Sequence, residues 1–103
     1  MELKENNGRL EVELPASADL ATAGELRDLL LDALAKDSGA DVVLNGRAVE
    51  RIATAVIQVV LAGASAFRTA ARRLDIEDAS QAMIAAFRQL GLGEDFDNLI
   101  VFS

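Results

Sequence analysis

The chain has 103 residues, 51% of them apolar, so one domain with a single core over residues 1–103 is expected. It contains no Cys, His, Trp or Tyr, which excludes a Ser-His or Cys-His catalytic couple and a His/Cys metal site. Ten Lys and Arg face 17 Asp and Glu for a net charge of −7, a surface that repels nucleic acid phosphates and anionic headgroups.

The opening Met1-Glu2-Leu3-Lys4-Glu5 lacks the apolar region of a signal peptide. The longest uncharged stretch, Ile52 to Phe67, is too short to span a bilayer and is interrupted by Thr54, Gln58 and Ser65. A cytoplasmic protein that neither inserts into membranes nor binds nucleic acid is expected.

In chain order, Glu2 to Glu5 and Arg9 to Leu14 flank Asn6-Asn7-Gly8. Asn-Gly supplies the positive φ values of a tight turn, which predicts a β-hairpin. Leu10, Val12 and Leu14 alternate with Arg9, Glu11 and Glu13, as in a strand with one buried face, and Pro15 closes it. Asp19 to Lys36 reads as an amphipathic helix with Leu26, Leu29, Leu30, Ala33 and Leu34 on one face, ended by Ser38-Gly39. Val42-Val43-Leu44 is a short apolar run, the mark of a strand buried on both faces and parallel to a neighbour.

Asn45-Gly46 then opens a polar loop through Arg51. Residues from about Thr54 to Ala70 predict a second helix, and Arg73 to Glu77 another strand. Ser80 is placed to cap a third helix carrying Met83, Ile84, Phe87 and Leu90, with Gly91 to end it. Leu99 to Phe102 would add a last strand. The order β-β-α-β-α-β-α-β predicts an α/β domain: a mixed sheet with helices mainly on one face and right-handed crossovers.

That order, together with Asp41-Val42-Val43-Leu44-Asn45-Gly46 and Val49-Glu50-Arg51-Ile52-Ala53-Thr54-Ala55-Val56-Ile57-Gln58-Val59-Val60-Leu61, resembles the STAS family of bacterial anti-sigma factor antagonists and their relatives. The Arg51-Ile52-Ala53-Thr54-Ala55 segment with Gln58 is similar to small STAS proteins of chemotaxis and sensory operons. The resemblance runs from the opening hairpin to about Phe96, where Gly91-Leu92-Gly93 matches the usual helix-ending Gly-Leu. It implies docking onto a protein partner and a phosphorylatable hydroxyl at the start of the second helix, here Thr54. Ala53 stands where the family usually has Asp, and Asn45 where Asp often ends the strand. The acidic neighbours of the hydroxyl are therefore absent.

Thr54 has two readings: an N-cap whose hydroxyl accepts from an early helix N–H, or a phosphoacceptor whose phosphate meets the helix N-terminus. Arg47 and Arg51, in the preceding loop, are either neighbours of that phosphate or ordinary solvated charge. Stepping about 100° per residue, Thr54, Gln58, Leu61, Ser65 and Thr69 share one stripe with Ala62 at its edge, while Val56, Val60, Gly63 and Phe67 face the sheet. A solvent stripe normally carries Lys and Glu. Here it has none before Arg68, so Gln58, Leu61, Ala62 and Ser65 form either a docking face or a surface covered by nearby loops.

The acidic residues do not assemble into a site. Asp95-Phe96-Asp97 lacks the following Gly and closing Glu of a calcium loop. Gly91-Leu92-Gly93 lacks the strand before and the helix start after that a phosphate fingerprint requires. No metal, cofactor or enzymatic activity is expected. The expected function is a regulatory docking module for a histidine-kinase-like or anti-sigma factor, or for a sensory complex. The alternative is a small STAS subunit stabilising the ATPase of a lipid ABC transport system.

Overall fold

The computed structural model describes residues 1, 3–36 and 39–100. The hairpin forms as its turn chemistry dictates: β1 (Lys4–Asn6) and β2 (Arg9–Glu13) join through Asn7 at φ 53° and Gly8 at φ 79°. The predicted start of the first strand, Glu2, lies outside the described residues. After Pro15 come a two-residue strand, β3 (Ser17–Ala18), and α1 (Leu20–Ala35). Then follow β4 (Val42–Asn45), β5 (Arg51–Ile52) and α2 (Thr54–Thr69). The chain closes with β6 (Leu74–Glu77), α3 (Gln81–Gln89) and the short α4 (Gly93–Asp97).

The main sheet has the order β1-β2-β4-β6, with β1 antiparallel to β2 and the other pairs parallel. It is the mixed sheet of an α/β domain, as the element order predicts. Leu10, Val12, Val42, Leu44, Leu74 and Ile76 alternate onto one face, where they pack with the buried sides of α1 and α2. On the opposite face, Val43 sits in register between Glu11 and Asp75, yet only 2% of it is exposed. Ion pairs hold that charged surface in place: Arg9 with Glu11 at 3.4 Å and Arg73 with Asp75 at 3.1 Å. All three apolar residues of β4 are thus buried, consistent with a strand that has a parallel neighbour on each side.

Two local expectations need correction. The stretch from Asn45 to Arg51 is not all loop, because Arg51 and Ile52 pair in parallel with Ser17 and Ala18. Backbone bonds fix this pairing, from Arg51 N–H to Ala16 O at 3.0 Å and from Ala53 N–H to Ala18 O at 2.8 Å. Two-residue strands are too short to show an alternating pattern. Gly91-Leu92-Gly93 is followed, against expectation, by a helix start: after Gly91 (φ 74°) the chain enters α4 at Gly93, and its Phe96 is buried with its ring 4.9 Å from that of Phe87. Of the expected C-terminal strand, the described residues show one parallel bridge, between Ile76 and Ile100. Val101 and Phe102 lie outside the described residues, as does Ser38 of the expected helix end.

The helix starts differ in what holds them. Asp19 caps α1 and Ser80 caps α3, each accepting from a backbone N–H three residues on. Helix α2 has Ala53 at its N-cap and no side-chain cap bond. A missing cap costs about 1 kcal/mol, whereas burying Val56, Ile57, Val60 and Phe67 contributes about 2 kcal/mol each. Packing, not capping, makes α2.

Candidate functional site

The start of α2 is tied to the start of α1. The Ala53 N–H donates to Ala18 O, and Ala18 directly precedes Asp19, the cap of α1. Leu20 on α1 and Ala55 and Gln58 on α2 therefore line one open groove between the helices. Thr54 lies at the head of this arrangement as the first residue of α2, and it is exposed. It is not the N-cap. The chain enters the helix one residue earlier, so the cap position falls on Ala53 and the Thr54 hydroxyl makes no cap bond.

Neither arginine is joined to Thr54 by a hydrogen bond or ion pair among the described residues. Arg47 turns back on its own loop, where its Nε donates to Asn45 Oδ1 at 3.2 Å and lies 4.0 Å from Glu13 Oε1. Its backbone N–H donates to the same Asn45 oxygen at 3.0 Å. Arg51 is exposed on β5, three residues before Thr54. Arg51 makes no side-chain hydrogen bond or ion pair among the described residues, whereas Arg47 is engaged elsewhere.

Beyond Thr54, α2 stands as a ridge between two hollows. On the α1 side, Gln58 and Ala62 border the groove lined by Leu20, Gly24, Arg27 and Val59. On the other side, Leu61 and Ser65 border a smaller hollow shared with Arg68, Asp95 and Asn98. Gln58, Ala62 and Ser65 are exposed. Leu61 is half-buried and packs against the core, so it is not the free apolar anchor that the helical projection predicts. Val56, Val60, Gly63 and Phe67 are buried on the inner side, as the same projection requires.

The fold and this segment agree with the match to known families. A family model described as "Mlab, STAS domain" matches residues 1–101. The chain belongs to the STAS domain family. No curated protein matches it. STAS domains are typically non-catalytic and mediate protein–protein interactions, so the chain is a STAS-type regulatory or binding module.

Other parts of this STAS domain carry less. No group of three or more Asp or Glu among the described residues is placed to hold a metal ion. No described helix is long and apolar enough to cross a membrane. The broad recess on the charged sheet face, about 450 Å³, is lined by Glu11 and Glu13 together with Lys4 and Arg47, a mixed set that selects no one charge.

Residues missed by sequence reasoning lie on α1. Leu20 and Leu31 are among the exposed large apolar residues, and they border the same inter-helix surface as Gln58 and Ala62. The spacing of Leu20, Gly24, Arg27 and Leu31 is present in the sequence, but which leucines of α1 are exposed is not. The leucine-rich composition of the helix hides it.

Proposed function

We propose that this STAS domain docks a signalling partner through the outer ridge of α2, using Gln58, Leu61, Ala62 and Ser65, with Thr54 at the head of the ridge. The observation that carries it is the missing charge. Asp, Glu, Lys and Arg make up 26% of the chain, yet none occurs between Ile52 and Phe67, although Thr54, Gln58, Ala62 and Ser65 are exposed. A small, uncharged, solvent-facing ridge is cheap to desolvate on association. The partner class is a histidine-kinase-like or anti-sigma factor or a sensory complex, in the cytoplasm. The domain, taken as one unit over residues 1–103, acts without a cofactor and without catalysis of its own.

Thr54 is the proposed phosphoacceptor. A phosphate there would meet the unpaired N–H groups at the head of α2 and the positive end of its dipole, with Arg51 on β5 three residues away and Arg47 in the loop before β5. Intact-mass spectrometry after incubation with the partner kinase and ATP decides this part. One added phosphate on wild type and none on Thr54→Ala supports the switch. Unmodified protein removes the switch and leaves docking standing.

The second reading, which the resemblance to small STAS subunits implies, is that the partner is the ATPase of a lipid ABC transport system, stabilised by this domain. Co-purification of the tagged full chain separates the two. A kinase, anti-sigma or receptor protein retained by wild type and lost by Ala62→Arg supports signalling. An ABC ATPase lost by the same variant supports the transport role. Retention of either partner by Ala62→Arg and Gln58→Arg overturns the ridge.

A further inference from the structure

Helix α1 leaves two leucines in water. Leu20 is 74% exposed and Leu31 51%, whereas Leu26 and Leu30 on the same helix are buried. With Gly24 and Arg27 they form one outward row along the groove against α2. The steps from Leu20 to Gly24, Arg27 and Leu31 are four, three and four residues, the alternation of a helix–helix seam. That pattern is the same in both directions. An antiparallel copy of the helix therefore presents a matching row.

Gly24 points the same way. Glycine inside a helix costs about 1 kcal/mol relative to Ala, so it normally has a local cause. Gly63 of α2 has one, since a Cβ there would lie 2.8 Å from Leu30 Cδ1. Gly24 has none among the described residues: it is exposed, and a Cβ there would meet nothing within 4 Å. The open space over it would admit a helix approaching from outside. Beside it, Arg27 and Asp28 are exposed, and neither makes a side-chain hydrogen bond or ion pair among the described residues.

We propose that the chain forms a two-fold symmetric dimer in which α1 packs antiparallel on α1 of a second copy. With the axis between Gly24 and Arg27, Leu20 meets the second copy's Leu31, and the second copy's Arg27 lies over Gly24. Asp28, one turn on from Gly24, is then beside that guanidinium, and symmetry makes the pair twice. This charge complementarity favours a second copy over an unrelated helix, because the row supplies leucine for leucine and Asp28 beside it supplies a carboxylate for the guanidinium. Gln58 and Ala62 of the proposed docking ridge border the same groove, so the two proposals are separated by readout: sedimentation of the chain alone reports the dimer, and co-purification reports the partner.

Sedimentation equilibrium of the full chain tests the dimer. The mass should rise from one chain toward two between about 10 µM and about 1 mM, the range for a small interface. Leu31→Glu and Arg27→Asp should each raise the dissociation constant at least about tenfold with melting unchanged. The swap Arg27→Asp with Asp28→Arg should recover most of the loss. A chain that stays monomeric at about 1 mM overturns the proposal. So does a dimer indifferent to both single substitutions, or a swap that recovers nothing.

Discussion

The Nη1 of Arg72 donates a 2.9 Å hydrogen bond to the carbonyl oxygen of Ala33, across 39 positions of sequence. Ala33 lies in the last turn of α1, where carbonyls lack helical partners and where the helix has no basic residue of its own. The Nε of Arg72 donates to Ala40 O at 2.8 Å, and the guanidinium lies 4.9 Å from the centre of the Phe67 ring. One buried cation thus joins the end of α1, the approach to β4 and the end of α2.

Arg72→Met should therefore destabilise the domain by about 3 kcal/mol, because it leaves acceptors unsatisfied in a dry site. Arg72→Lys keeps the charge but not the planar fork that reaches two carbonyls at once, so it should recover only part of the loss. Urea denaturation of both variants provides the measurement. Midpoints equal to wild type would show that water replaces the guanidinium without cost.

The two helical glycines give opposite predictions. At Gly63 a side chain has no room, since its Cβ would sit 2.8 Å from Leu30 Cδ1 and 3.3 Å from Leu74 Cδ1. Gly63→Val should overpack the α1–α2 contact and cost about 2 kcal/mol or more. At Gly24 the space is open, and Gly24→Ala should stabilise the folded monomer by up to about 1 kcal/mol. If α1 is the dimer seam, the same Gly24→Ala should weaken association while raising the melting temperature.

Gln58→Arg and Ala62→Arg are clean probes of the ridge. Both sites are exposed, so melting should stay within about 0.5 kcal/mol of wild type while partner binding is lost. Leu61→Glu is not a clean probe. Leu61 packs against the core, and a carboxylate there should cost about 1–2 kcal/mol before any partner is considered. Val60→Glu, at a fully buried site, should unfold the domain. If Leu61→Glu melts like wild type, its side chain is freer than its packing indicates.

How much of this was legible in the sequence follows from the length of each signal. The hairpin, α1, β4, α2, β6 and the Ser80 cap are each marked by a turn dipeptide, a period or a capping residue, and all form. The β3–β5 pair and α4 are held by a few backbone bonds and by Phe96, which leave no period to read. The cap of α2 shifted from Thr54 to Ala53 because boundaries depend on tertiary bonds, here Ala53 N–H to Ala18 O. The inner and outer sides of α2 followed from helical geometry alone. What lies beside each side does not, so the half-burial of Leu61 and the exposure of Leu20 and Leu31 required the fold.

Asp19 supplies the last prediction, a dependence on pH. Its Oδ1 accepts from the Thr22 N–H at 3.0 Å and from the Thr22 hydroxyl at 3.1 Å. The backbone bond first, then the hydroxyl, hold its carboxyl below the ordinary value of 3.8. A carboxyl whose pKa is depressed by folding stabilises the folded state above its unfolded value. That contribution is lost as pH falls through the lower folded value. Asp19→Ala should therefore melt below wild type at neutral pH, by an amount that stays flat down to about pH 5. The gap should narrow in acid, as wild-type Asp19 is protonated and accepts more weakly. Asp19→Asn keeps a capping oxygen without the charge, so it should melt between the two and converge with wild type over the same acidic window. Thermal melts of the three proteins from neutral pH down to about pH 2 measure the effect. A gap between wild type and Asp19→Asn that does not change with pH would show that the Asp19 cap acts through geometry alone and that its charge adds nothing.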